Sequence, residues 1–147
     1  NGLFRLTVNL VNHYEIQDFD IEVGYQILDP KNDNEIVLKG EKELTIKAGI
    51  EKDLEFKEGQ ILNVRQWSAE HPNLYTLLIT LKDDRSILEI VSFRIGFRRE
   101  EFSTIEKDDK KISVFLFNGK PVIFKGINIH EHDEKTGHYV TDEKKSC

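Results

Sequence analysis

The chain opens on a period of two: Phe4, Leu6, Val8 and Leu10 alternate with Arg5, Thr7 and Asn9. Apolar residues at every second position put one face of a strand on a core and the other in solvent. The pattern returns at Phe19, Ile21, Val23, Tyr25 and Ile27, and stops at Asp29-Pro30 and the polar run 31–35. Shorter stretches follow at residues 36–38, 44–48 and 54–56. Stronger ones come at 75–81 and, after Asp83-Asp84, at 87–97. About seven strands separated by turn residues, with almost no helical periodicity, predict an all-β fold: an immunoglobulin-like antiparallel β-sandwich over residues 1–100. The Cys-Trp-Cys signature of antibody domains is missing, so the likeness is one of architecture.

After Arg98 the pattern breaks. Arg99-Glu100-Glu101 and the charged run 106–111 read as a connector. Two apolar runs follow, 112–117 and 122–129, joined by Asn118-Gly119-Lys120-Pro121. Asn-Gly between apolar runs predicts a hairpin, because both residues tolerate positive φ. The second run is apolar at both parities, which suits a strand covered on both faces, as in a parallel α/β sheet. Residues 101–147 are therefore expected to hold a connector, a β-hairpin and the first strand of a truncated β/α barrel.

Composition narrows the partners. Lys and Arg number 21 against 27 Asp and Glu, a formal charge of −6, and the acidic residues are scattered. Nucleic acid and anionic membranes need a basic face, so neither is expected as a partner. No apolar run approaches the roughly 18 residues of a membrane span. The lone cysteine, Cys147, rules out an internal disulfide, so the fold stands on packing and a reducing compartment is permitted. A chain without Met that starts Asn1-Gly2 and stops at Lys145-Ser146-Cys147 is expected to be a segment of a longer protein.

Four segments, in order, resemble the β-galactosidases of glycoside hydrolase family two. They are Trp67-Ser68-Ala69-Glu70-His71-Pro72-Asn73-Leu74-Tyr75, Ile95-Gly96-Phe97-Arg98, Asn118-Gly119-Lys120-Pro121, and Lys125-Gly126-Ile127-Asn128-Ile129-His130-Glu131-His132. The β-glucuronidases of the same family are similar too. They usually carry His-Glu-Asp where this chain has His130-Glu131-His132, and they lack a close equivalent of residues 67–75, which favours the galactosidase branch.

The resemblance implies retaining hydrolysis of terminal β-galactosides by two Glu residues roughly 5 Å apart, one acid/base and one nucleophile. It places His130 in the sugar subsite, against galactosyl hydroxyls. Position agrees, since a β/α barrel builds its site at the carboxyl ends of its strands and His130 follows the run ending at Ile129. The acid/base Glu of the family follows an Asn; the Asn-Glu pair here, Asn34-Glu35, falls in a turn of the sandwich and cannot be it. Both catalytic carboxylates, and the ligands of the magnesium the family uses, are expected beyond this chain, which is expected to be inactive alone. The parent is expected to be a homo-oligomer, and the fragment to self-associate through its apolar tail.

Plainer readings stand beside these. His130 and His132 could be taken for a metal site, but a zinc site wants three or four convergent ligands, so a solvated or hydrogen-bonded role is preferred. Trp67 could be a sugar-stacking platform; a packing anchor is preferred, as for Tyr75 with its hydroxyl tied to nearby backbone. Arg98 and Arg99 read as solvated or salt-bridging charges. Gly126 reads as a bulge or close backbone approach, and Asn128 stays undecided between orienting a loop and touching ligand. From a different class, a free-standing carbohydrate-binding or adhesion module is the alternative.

Overall fold

A computed structural model describes residues 1–84, 86–107 and 110–126. Within them nine strands run in the order β1 (Gly2–Val11), β2 (Phe19–Asp29), β3 (Glu35–Ile46), β4 (Glu51–Ile61), β5 (Tyr75–Lys82), β6 (Ile87–Ile95), β7 (Glu100–Lys107), β8 (Lys110–Phe117) and β9 (Lys120–Val122). They form a two-stranded sheet β1-β4, a four-stranded sheet β3-β2-β5-β6 and a three-stranded sheet β7-β8-β9. All these strand pairs are antiparallel. The first two sheets are the expected sandwich and the third is the C-terminal extension.

The alternation seen in the sequence becomes the core. Ile21, Val23, Tyr25 and Ile27 of β2 turn inward, and Ile27 is 0% exposed. On β5, Tyr75 and Leu77 join the same cluster, while β4 contributes Leu54, Phe56 and Ile61 from the opposite sheet. The Tyr25 ring holds the layers together, 5.3 Å from Phe4 and 4.9 Å, edge-on, from Phe56. Its burial raises the phenol above the ordinary tyrosine range. Gly40 makes room for that ring beside β3: a Cβ there would meet Tyr25 Cε1 at 2.6 Å.

Two buried polar side chains tie down loops. Asn12 Nδ2 donates to the carbonyls of Gln17 at 2.8 Å and Lys47 at 3.1 Å, while its Oδ1 accepts the Tyr14 N–H. Asp29 accepts the Lys31 N–H at 2.9 Å and pairs with Arg65. A buried carboxylate needs such partners to offset its lost hydration. The turns before and after β2 are thus held by side chains at their own roots.

Three expectations change. Residues 36–38 and 44–46 are not separate strands but the two ends of β3, which is continuous through Lys39-Gly40-Glu41-Lys42-Glu43. Its middle is charged because β3 is an edge strand, where charge deters pairing with other chains and hides the alternation. Residues 100–107 and 110–111, read as connector, are strand: β7 pairs with β8 from Glu100↔Phe117 to Lys107↔Lys110. A ribbon open on both faces has no core to impose an apolar period, so its ladder left no mark in the pattern. In the second apolar run β9 ends at Val122 and residues 123–126 are not strand, while residues 127–129 of it lie outside the described residues. The turn itself is as expected, with Asn118 at φ 50° and Gly119 at φ 77°.

Replacing Ile27 by Ala should destabilise the chain by about 2–5 kcal/mol, the cost of a cavity at a fully buried site. Urea unfolding would read this as a fall in midpoint at unchanged slope.

Candidate functional site at the junction of sandwich and hairpin

Three of the four segments singled out in the sequence converge in space. Residues 66–74 lie between β4 and β5 as a compact loop, beside which residues 95–98 and the β8–β9 turn are packed. The Trp67 N–H donates to Phe97 O at 2.8 Å, and the Trp67 ring stands edge-on to Phe117 at 5.9 Å. The Arg98 guanidinium lies 5.7 Å from the indole centre. Gly96 has a specific reason to be glycine, because a Cβ there would come within 2.9 Å of Trp67 Cβ.

Asn118 closes the junction. Its Nδ2 donates to Trp67 O at 2.9 Å, its Oδ1 accepts the Arg99 N–H at 3.0 Å, and its own N–H donates to Arg99 O at 2.8 Å. The residue that makes the turn also fastens the hairpin to the loop. Asn73 does the same within the loop, donating from Nδ2 to Gln66 O at 2.9 Å and accepting Lys31 Nζ at 2.6 Å. The Ser68 N–H donates to His71 O and the His71 N–H to Ser68 Oγ, both at 3.0 Å.

Below the loop, the Tyr75 hydroxyl accepts the Arg65 N–H at 3.0 Å, the expected tie to backbone, and Arg65 stacks 5.7 Å from the Tyr75 ring while paired with Asp29. Arg98 pairs with Glu100 and Arg99 with Glu101, as charges at the surface. Trp67 has an arginine over its ring and a phenylalanine at its edge, the environment of a packing anchor.

A cleft of about 740 Å³ lies between loop and hairpin, with Trp67, Glu70, His71, Phe117, Lys120 and Phe124 on its walls. Its chemistry is that of a joint. Ser68 Oγ is engaged by the His71 backbone. The Glu70 carboxyl is held below its ordinary range, first by its own backbone N–H and then by the Ser68 hydroxyl, with weaker help from His71 and Lys120. A carboxyl kept ionised in this way accepts hydrogen bonds and is a poor general acid. Among the described residues no three His, Cys, Asp or Glu side chains group to hold a metal. His130, the one residue assigned to substrate, lies outside the described residues, as do Asn128 and His132. A Cβ added at Gly126 would meet nothing within 4 Å among the described residues, so no described neighbour there requires a glycine.

The bridging role of Asn118 was not visible in sequence. Asn-Gly announces a turn, but the loop that its side chain grips is 51 residues away.

This molecule is a β-sandwich with a hairpin clasped to one end, and its sequence matches the profile of glycosyl hydrolases family 2 over residues 3–98. The profile of that family's TIM barrel domain matches residues 109–145. The chain belongs to glycosyl hydrolases family 2. It is 40% identical over 82 residues to a β-galactosidase of Streptococcus thermophilus, covering 56% of this chain and 7% of that enzyme. To a β-galactosidase of Lactobacillus delbrueckii subsp. bulgaricus it is 32% identical over 146 residues, 95% of this chain and 13% of that one. The chain thus spans a small part of these relatives. Among solved structures, a Bacteroides uniformis β-glucuronidase superposes with a TM-score of 0.63 at 24% identity, covering 97% of this chain and 18% of that one. A family member from Bacteroides cellulosilyticus gives 0.65 at 24%, covering 90% and 17%. At such identities these two establish likeness of fold. No helix long and apolar enough to cross a membrane occurs among the described residues.

Replacing Asn118 by Ala removes its two side-chain hydrogen bonds and leaves alanine at a φ of 50°, in the left-handed region that its β-carbon disfavours. The expected cost is about 1–3 kcal/mol. Trp67 is the lone tryptophan, so its fluorescence should shift to the red as the hairpin detaches. An unchanged spectrum and midpoint would show that the clasp contributes nothing.

Proposed function

We propose that this chain is the non-catalytic sandwich and barrel-entrance portion of a retaining β-galactosidase-type glycoside hydrolase. The observation that carries the reading is the order of matches along one chain: the family profile over residues 3–98, the barrel profile over 109–145, and β-galactosidases as relatives at 32–40% identity. The glucuronidase reading is less supported: the β-glucuronidase of Bacteroides uniformis matches in fold at 24% identity, while β-galactosidases match in sequence at 32–40%.

In this reading the work of the chain is placement. The sandwich supplies a rigid body, and the Trp67 loop with Asn118 fixes the direction in which the chain leaves it toward the barrel. Both catalytic carboxylates and any magnesium ligands are proposed to lie outside these 147 residues. His130, which directly follows the apolar run ending at Ile129, is proposed to donate to or accept from galactosyl hydroxyls, binding that tightens as the ring distorts toward its oxocarbenium-like transition state. The parent's assembly as a homo-oligomer is part of the same proposal.

Apolar surface on the hairpin supports the reading. Phe102 meets Phe115 edge-on and Phe115 meets Phe124 at a tilt, with ring centres 5.3 and 5.2 Å apart, yet Phe102 is 83% exposed, Ile123 83% and Phe124 76%. Covering each such side chain is worth roughly 1.5–3 kcal/mol, so a face of this kind is built to be covered, here by the barrel.

The purified chain should hydrolyse no galactoside, and in the parent enzyme His130→Ala should lower kcat/KM by about ten- to a hundred-fold, the worth of one or two hydrogen bonds to sugar. Galactoside turnover by the chain itself, or glycan binding by it on an array, would favour an independent module instead. Without a barrel, the chain should also self-associate through Phe124 and its neighbours, and Phe124→Ser should weaken that association in sedimentation velocity. A wild-type chain that stays monomeric at high concentration argues against it.

A further inference from the structure

Two Asn-Gly steps occur in the chain, Asn1-Gly2 and Asn118-Gly119. Such a step carries a chemistry of its own, because a glycine nitrogen has no side chain beside it to keep it from the amide carbon of the preceding asparagine. At the first step folding blocks that approach: Gly2 is buried in β1, in register with Ile61 of β4. At the second, on the β8–β9 turn, Gly119 is exposed and its N–H donates to no described group. A Cβ added there would meet nothing within 4 Å, so the space around it is open. Asn34 and Asn63 share the positive φ of Asn118, at 58° and 52° against 50°. They are followed by Glu35 and Val64, whose side chains shield the nitrogen.

What restrains Asn118 is its own side chain. The amide that would react is the one that clasps the hairpin, with Nδ2 donating to Trp67 O at 2.9 Å and Oδ1 accepting the Arg99 N–H at 3.0 Å. While both bonds hold, the amide plane is fixed and does not swing to present Cγ to the Gly119 nitrogen. Lifting the hairpin frees it.

We infer that Asn118 is a site of spontaneous deamidation, opened by detachment of the hairpin from the Trp67 loop. The Gly119 nitrogen bonds to Asn118 Cγ and gives up its proton to solvent. The Cγ–Nδ2 bond breaks, and the amide nitrogen takes a proton and leaves as ammonia. Water then opens the cyclic imide at either carbonyl, giving aspartate at this position or isoaspartate, whose backbone runs through the former side chain. Neither product closes the clasp. Aspartate keeps an acceptor for the Arg99 N–H, but it sets a carboxylate oxygen against Trp67 O where a donor stood, in a cleft whose wall already carries Glu70. Isoaspartate lengthens the turn and takes the backbone N–H of this position out of register with Arg99 O. Detachment thus becomes permanent, and the turn that directs the chain away from the sandwich contains its own irreversible release. No barrel is needed for this chemistry, so its test leaves the proposed enzyme untouched.

The test is to incubate the 147-residue chain, folded and in urea, and to follow conversion of Asn118 by peptide mass mapping and isoaspartate detection. The two clasp hydrogen bonds should slow conversion in the folded chain by about 5- to 150-fold, the factor that corresponds to about 1–3 kcal/mol. Phe117→Ala removes the ring that meets Trp67 edge-on, so it should speed conversion in the folded chain and leave the rate in urea unchanged. Asn118→Asp makes one product directly. It tolerates positive φ and keeps the turn, yet it should shift Trp67 fluorescence to the red. Equal rates in the folded and unfolded chain would overturn the inference, as would an amide still intact in the folded chain after roughly 150 times the incubation that suffices in urea. So would a folded Phe117→Ala chain that converts no faster than the wild type. A native spectrum in Asn118→Asp overturns it whether or not Phe117→Ala folds.

Discussion

Strand β2 can be stable only if both of its neighbours and the opposite sheet arrive together. It is hydrogen-bonded along both edges, to β3 and to β5, and its inward face of Ile21, Val23, Tyr25 and Ile27 holds the two most completely buried side chains, Ile27 and Val23. Burial of that face is the main source of cooperativity, since no internal disulfide is available to restrain the unfolded chain. Tyr25 extends the constraint across the layers through Phe4 and Phe56, and the carboxylate of Asp29 at the strand's end extends it to Arg65 and so to the base of the Trp67 loop. The core and the candidate site are linked through one strand.

That link explains why a junction can be rigid at a protein surface. Surface loops are ordinarily the mobile part of a domain. Here the loop of residues 66–74 has backbone groups taken up by Phe97, Asn73, Ser68 and Asn118, and its single large ring packed against Gly96, Arg98 and Phe117. The exposed ion pairs Arg98–Glu100 and Arg99–Glu101 add little, as solvent screens them. Direction is set by hydrogen bonds and packing, and charge decorates the outside. For a chain proposed to hold a barrel in place, such a joint is the functional part.

The apolar surface left bare follows the same division of labour. One uncovered face lies on the hairpin, around Phe102 and Phe124, and another beside the open edge of β1, at Phe93. The opposite edge of the four-stranded sheet carries its own protection in the charged middle of β3. Neither of these two places has such a charged guard.

Most of the sandwich could be read from the order of residues alone. Wherever a strand had one face on a core, as β1, β2 and β5 do, the period of two appeared and the strand was found. Asn118-Gly119 likewise specified its turn, because positive φ is a property of the residues. The family was legible as well, in short motifs whose order along the chain carried the likeness. Other features exist only in the folded molecule. β7 and the middle of β3 have no core-facing period to read, and the ladder that makes them strands is formed by backbone groups that nearly every residue carries. That Trp67, Gly96 and Asn118 meet at one joint follows from chain segments brought together by folding, and a side-chain amide gripping a carbonyl 51 residues away leaves no trace in local pattern.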